Sequence, residues 1–183
     1  MIFEFEDKKG GRGRILPARA EDLDTLFPIY QTAVRTIGAL GIDQWQNGYP
    51  TREILLSDVE NGELFRIEID GRTAGGFALL LHRDPTYDQI EGAWKTGDRG
   101  AYAAVHRVTV DPDFRGRDIP RAIYAFAEEQ ARACLLCSLR IDTHEGNVVM
   151  RRSLEKCGFL HVGVIHLADG APRVAYEKVF DQK

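Results

Sequence analysis

The stretch Ala104–Arg121, AVHRVTVDPDFRGRDIPR, constrains the fold of this chain more than any other. An alternating apolar run through Val108 and Val110 ends at Asp111-Pro112. The basic loop Arg115-Gly116-Arg117-Asp118 follows, and an amphipathic helix opens at Ile119-Pro120. A strand that feeds a short glycine-bearing loop at a helix N-terminus turns unpaired N–H groups and the positive end of the helix dipole toward one point, which suits a phosphate. Two residues oppose that use. Asp118 brings a like charge and a side chain able to cap the helix itself. Pro120 lacks an N–H, although it suits a first helical turn.

The remaining segments alternate between periods of two and 3.6. Arg14–Pro17 reads as a first strand, preceded by a loose polar arm over residues 1–13. Leu23, Leu26, Phe27, Tyr30 and Val34 recur at helical spacing behind acidic residues suited to a first turn. Thr51 can cap a second helix through Glu60. Residues 64–69 and 74–81 alternate around Asp70-Gly71, a strong hairpin signal, and Asp169-Gly170 joins two last strands, 159–167 and 174–179. Between these lie the helix after Ile119, a strand over Ser138–Thr143 and a helix from Asn147 to Cys157 that Gly158 stops. Residues 83–100 form a polar segment longer than a usual hairpin loop, and therefore a candidate functional one. This order predicts an α/β domain around one mixed sheet.

Composition narrows the function. A chain of 183 residues with 44% hydrophobic and 28% charged residues is ordinary for a globular domain. A net charge of −4 leaves no basic footprint for nucleic acid. No apolar run approaches the roughly 20 residues that span a bilayer, and the first residues lack a signal-peptide core, so no membrane partner and a cytoplasmic location are expected. The three cysteines, Cys134, Cys137 and Cys157, are an odd count and read as structural thiols. Cys134-x-x-Cys137 has no second ligand pair for zinc, and it falls at a helix end rather than at the helix start that a redox pair wants.

The run Val108-x-Val110-x-Pro112-x-x-Arg115-Gly116 and, further on, Asn147 followed by Leu154-Glu155-Lys156-Cys157-Gly158-Phe159 resemble the GNAT superfamily of acyl-CoA-dependent N-acyltransferases. The resemblance covers residues 14–180, read as a single domain. It implies the GNAT fold: a mixed, mostly antiparallel central sheet with two splayed parallel strands, flanked by about four helices. It also implies acetyl-CoA as the acyl-donor cosubstrate. The pantetheine arm would pair with Val108, Thr109 and Val110, and Asn147 would hydrogen-bond it. The loop Arg115, Gly116, Arg117, Asp118, Ile119, Pro120 and Arg121 would wrap the pyrophosphate. The family usually carries glycine where Asp118 stands, and glycine or alanine where Pro120 stands. Many relatives carry a thiolate-protonating tyrosine where this chain has Leu154, which cannot donate a proton.

The acceptor must lose a proton before it attacks, because an ammonium has no lone pair. His106 is the candidate base: strand alternation puts it on one face with Val108, and its reference pKa of about 6.5 suits the task. Its position is similar to that of a catalytic histidine in arylalkylamine-type relatives; a histidine satisfied inside the sheet is the competing reading. His144 and Glu145 are second choices. Trp45, Tyr49, Tyr87 and Trp94, with Asp43, Asp84 and Glu91 nearby, could form a cage for a small cationic amine. Trp45 and Trp94 could equally close the core. The expectation is transfer of an acetyl group to the primary amine of a small molecule by direct attack in a ternary complex, with no metal and with a homodimer entertained. Two alternatives stand beside it. One is a catalytically degenerate domain of the same fold with weak or no CoA affinity. The other is acylation of a protein N-terminus or lysine, against which the segment 83–100 argues by obstructing a peptide groove.

Overall fold

Side-chain periodicity and two Asp-Gly turns account for most elements of the computed structural model, which describes residues 2–97 and 101–181. It is a mixed α/β structure: four α-helices and a mostly antiparallel sheet containing one parallel pair. The backbone gathers into two units, the first comprising the chain up to Leu79 with Arg107–Phe126, the second Leu80–His106 with the chain from Ala127.

In the first unit, part of the expected N-terminal arm is a strand. β1 (Phe3–Glu6) runs antiparallel to β2 (Arg12–Pro17), with Phe3 opposite Ile15 and Glu6 opposite Arg12. The alternation Phe-Glu-Phe-Glu supplies the reason. The Phe3 ring packs edge-on against Phe126 at 5.7 Å. The Phe5 ring lies over Gly13, where a Cβ would come within 2.3 Å of it.

α1 (Leu23–Ala39) buries Leu23, Leu26, Ile29 and Tyr30, and α2 (Arg52–Glu60) is capped by the Thr51 hydroxyl, which accepts from the Ile54 N–H at 3.2 Å. Together with Ala18, Leu55 and Leu64, three of the α1 residues (Leu23, Leu26 and Tyr30) form one core cluster. β3 (Leu64–Ile69) and β4 (Arg72–Leu80) meet at Asp70 and Gly71, whose φ values of +49° and +80° are those of a primed hairpin turn. Gly75 in β4 is obligatory, since a Cβ there would lie 2.2 Å from the carbonyl oxygen of Thr109.

The second unit begins with the segment expected as a functional loop. It holds a helical turn at Pro85–Tyr87 and a short strand, β5 (Glu91–Gly92); residues 98–100 lie outside the described residues. β6 (Tyr102–Val110) and α3 (Ile119–Ala133) each run through both units. β7 (Ser138–Thr143), α4 (Val148–Lys156), β8 (Leu160–His166) and β9 (Pro172–Val179) complete the chain. The strand order here is β6-β7-β9-β8-β5. β6 and β7 are parallel, paired at Tyr102↔Ser138, Ala103↔Leu139 and Ala104↔Arg140. The pairing ends there, although both strands continue. Segment 84–94 folds over one face of this sheet, where Tyr87 and Trp94 pack with Tyr102, Ala104, Ile165 and Ala175. No disulfide joins the three cysteines among the described residues. Among the described residues no helix is long and apolar enough to cross a membrane.

Candidate active site

His106 stands where β6 and β7 part. One register step beyond the last pair, Ala104↔Arg140, falls Val105 opposite Ile141; the next falls His106 opposite Asp142. The imidazole is held on three sides. Its Nε2 lies 2.7 Å from Asp84 Oδ2, its Nδ1 lies 3.9 Å from Asp142 Oδ1, and its ring stacks on Tyr87 at 5.6 Å between centroids. An ionised carboxylate only accepts, so the hydrogen bond to Asp84 fixes the tautomer: Nε2 carries the proton and Nδ1 presents a lone pair.

Asp84 is built in firmly. Its Oδ1 accepts from the Thr86 N–H at 2.8 Å, and the Tyr102 hydroxyl bonds both its backbone N–H and its carbonyl at 3.0 Å. Burial alone would raise its carboxyl, but the hydrogen bonds from His106 and Thr86 and the charge of His106 hold it down to about 2. Tyr87 donates its hydroxyl proton to Asp142 Oδ1 at 2.8 Å, and burial followed by that neighbouring charge keeps it a phenol well above its usual range. A carboxylate–histidine pair with one free ring nitrogen can accept a proton and keep the resulting imidazolium neutralised.

Tyr87 and Trp94 are core side chains at 0% and 4% exposure. The Trp94 indole N–H donates to the Tyr87 carbonyl at 3.0 Å, and the Trp94 ring lies over the guanidinium of fully buried Arg140, which sits 4.1 Å from its centroid and 3.9 Å from that of Tyr102. Arg140 pairs with buried Glu177 at 3.2 Å and donates to the Gly97 carbonyl at 2.7 Å, which ties the end of the covering segment to β7. Glu91 pairs with His166 at the exposed edge. His144 Nδ1 accepts from the Gly146 N–H at 3.0 Å. Asn147 caps α4, its Oδ1 accepting from the Met150 N–H at 3.2 Å, and Leu154 is fully buried.

Glu145 follows His144, its carbonyl accepting from Arg151 at 3.1 Å, and the remaining sequence-predicted residues belong to the first unit. Arg107 departs from strand geometry with a φ of +53°, so the strict alternation that put His106 and Val108 on one face is interrupted between them. Its guanidinium forks onto Asp58, 2.7 Å from Oδ2 and 2.9 Å from Oδ1, and donates to the Tyr49 hydroxyl at 2.7 Å. Trp45, half-buried, lies between Tyr49 and Tyr30, 6.4 and 6.3 Å between centroids. Val108 and Val110 are half-buried, and Thr109 is buried with its hydroxyl unpartnered among the described residues.

After the turn at Pro112–Phe114, the loop reverses through left-handed Gly116 (φ +75°) and Asp118 (φ +61°) into α3, anchored by buried Ile119. Among the described residues, nothing accepts from the backbone N–H groups of Gly116, Arg117 or Asp118. Arg115 and Arg121 are exposed and Pro120 is half-buried in the first helical turn. Arg117 turns back instead: its guanidinium donates to Asp7 at 2.9 Å, and its carbonyl accepts from the Lys8 N–H at 3.1 Å. The positive φ at Asp118 is one that glycine adopts without steric cost.

The sequence offers His106 as a candidate, places Asp84 only among nearby acids, and carries no local signal for Asp142, Asp58 or Arg107. Among the described residues no three His, Cys, Asp or Glu side chains are grouped to hold a metal ion.

Comparison with known proteins bears on the family and the fold. None of the curated proteins matches the chain in sequence. Among solved structures, a GNAT-family acetyltransferase from Streptococcus agalactiae is 32% identical, with a TM-score of 0.84 over 93% of this chain and 96% of its own. A GNAT-family acetyltransferase from Listeria monocytogenes is 18% identical, with a TM-score of 0.74 over 97% of this chain and 100% of its own. The PaiA N-acetyltransferase from Thermoplasma acidophilum, solved in complex with coenzyme A, is 18% identical, with a TM-score of 0.68 over 92% of this chain and 99% of its own. The sequence profile of the Acetyltransferase (GNAT) family matches residues 23–159, three quarters of the chain. The protein belongs to the GNAT family of acetyltransferases.

Proposed function

We propose that this protein moves an acetyl group from acetyl-CoA to the primary amine of a small molecule, with His106 as the proton acceptor. The hydrogen bond between His106 Nε2 and Asp84 carries the reading, because it leaves Nδ1 as a base where the two parallel strands separate. The loop fits a diphosphate on its own features: three N–H groups without acceptors among the described residues, two exposed arginines, and the N-terminus of a helix that runs from Ile119 to Ala133. Gly116, Arg117 and Asp118 would hold the pyrophosphate through their backbone, with Arg115 and Arg121 supplying charge. The coenzyme A bound by the Thermoplasma relative supports this assignment.

Acetyl-CoA, when bound, supplies a thioester carbonyl open to attack by an amine. The protein's part is proton handling. His106 Nδ1 takes the proton of the incoming ammonium, and Asp84, ionised across the working range, offsets the imidazolium that forms. Tyr87 holds the ring plane by stacking beneath it. Leu154, apolar and buried, offers the departing sulfur no proton.

The test is thiol release from acetyl-CoA over a panel of amines, with acetyl-CoA binding followed by calorimetry. Turnover with at least one small amine is expected, and His106→Ala should lower it roughly a hundredfold while donor affinity stays put. Wild-type rates in that variant would remove His106 from the mechanism. Absence of donor binding would mark a domain that has lost catalysis.

A further inference from the structure

We infer that Asp142 is the subsite for the acceptor's charge: its carboxylate receives a cationic ammonium group beside His106 Nδ1, so the enzyme selects aliphatic ammonium acceptors over uncharged amines. The inference rests on the acetyl-transfer reading and adds the chemical class of the acceptor.

Three observations support it. Once Asp84 fixes the Nε2–H tautomer, His106 Nδ1 and Asp142 Oδ1 are two acceptors 3.9 Å apart, too far for a bond to each other. A single ammonium nitrogen can donate to both at ordinary distances. Second, two carboxylates meet at one ring. Asp84 and Asp142 flank one imidazole, and Arg140, two residues from Asp142, is fully buried and committed to Glu177. An ionised carboxylate with 13% of its side chain exposed is stabilised by a cation that arrives with its own hydrogen bonds. Third, the carboxylate is pre-aimed, since the buried Tyr87 hydroxyl donates to Oδ1 and fixes its orientation. With both His106 and Asp142 partly exposed, a small ligand can reach them.

In the reaction, the ammonium passes one proton to Nδ1. The electron pair left on nitrogen forms the C–N bond as the C–S bond breaks, the electrons of that bond leave on sulfur, and the second proton that the nitrogen sheds to become an amide goes to the departing thiolate or to water. Asp142 therefore binds and orients the acceptor, while His106 carries the proton.

Benzylamine, a cation at neutral pH, and aniline, uncharged there, separate the classes. Wild-type protein should bind benzylamine by calorimetry at least about tenfold more tightly than aniline, the range expected for one charge-assisted hydrogen bond. Asp142→Asn keeps the side-chain volume and an oxygen for the Tyr87 hydroxyl, and it should erase most of that preference without changing acetyl-CoA affinity. Tyr87→Phe leaves the charge but frees the carboxylate, and should reduce the preference without abolishing it. In wild-type protein, benzylamine should also shift the His106 ring-nitrogen NMR signals, a readout that needs no variant to fold. An unchanged preference in well-folded Asp142→Asn, or no preference and no shift in wild type, overturns the subsite even if acetyl transfer is seen. Preference and shift without any transfer from acetyl-CoA uphold the subsite and overturn the proposed reaction.

Discussion

Replacing Asp84 by asparagine removes the negative charge that faces His106 while keeping an oxygen for the Thr86 N–H. The cost follows from the proton affinity of the carboxyl. In the folded protein it titrates at about 2, against an ordinary 3.8, and each pKa unit corresponds to about 1.4 kcal/mol between the two protonation states. The side chain is only 11% exposed, so solvent screens little of this, and the folded state gains about 2 kcal/mol from ionised Asp84. The direction is set by which state holds more protons. Between roughly pH 4 and pH 2 the unfolded chain binds the proton more readily, so stability rises with pH through that window. The gain is complete above about pH 4 and disappears as pH falls through about 2. Denaturant unfolding of wild type and Asp84→Asn, at pH 7 and in steps down toward pH 3, should give a gap of about 2 kcal/mol at neutrality that narrows below pH 4. Turnover should fall too, because nothing then holds Nε2 as the donor and Nδ1 as the base. A gap that stays constant across the acid range, or no gap at pH 7, would refute the claim that the His106 pairing holds this carboxyl down.

Two further substitutions probe the first unit. Arg107→Met leaves Asp58, 9% exposed at its side chain, without its ion pair and should cost about 3–5 kcal/mol by denaturant unfolding; adding Asp58→Leu should recover much of it, and a loss under about 1 kcal/mol would deny the pair its structural role. Asp118→Gly relieves a left-handed backbone and removes a carboxylate from the expected diphosphate loop. Acetyl-CoA should bind several-fold tighter in calorimetry, more so at low salt, and unchanged or weaker binding would put that side chain away from the phosphates.

How far the site was legible in the sequence depends on the reach of each interaction. Local signals served well: Asp70-Gly71 and Asp169-Gly170 mark real turns, Thr51 caps its helix, and the strand over Ser138–Thr143 ends where expected. Phe3–Glu6 escaped because four alternating residues need a partner strand before they count as one, and the Phe126 ring that rewards them is far along the chain. His106 could be found from its strand and its chemistry. Asp84 lies 22 residues before it, and the two meet only because Tyr87 and Trp94 fold their segment down onto the sheet. Asp142 needed still more: knowledge that β6 and β7 are parallel neighbours in the register Ala104↔Arg140. Arg107 was hidden for the opposite reason. No glycine or asparagine marks its left-handed backbone, so alternation read straight through it, and the arginine is held there by Asp58, 49 residues away. Side-chain periodicity reports where a strand lies, but not where its hydrogen bonding to a neighbour stops. In this protein the candidate base and the carboxylate opposite it stand at such a stop, so the feature that creates the site is the one that a period of two cannot express.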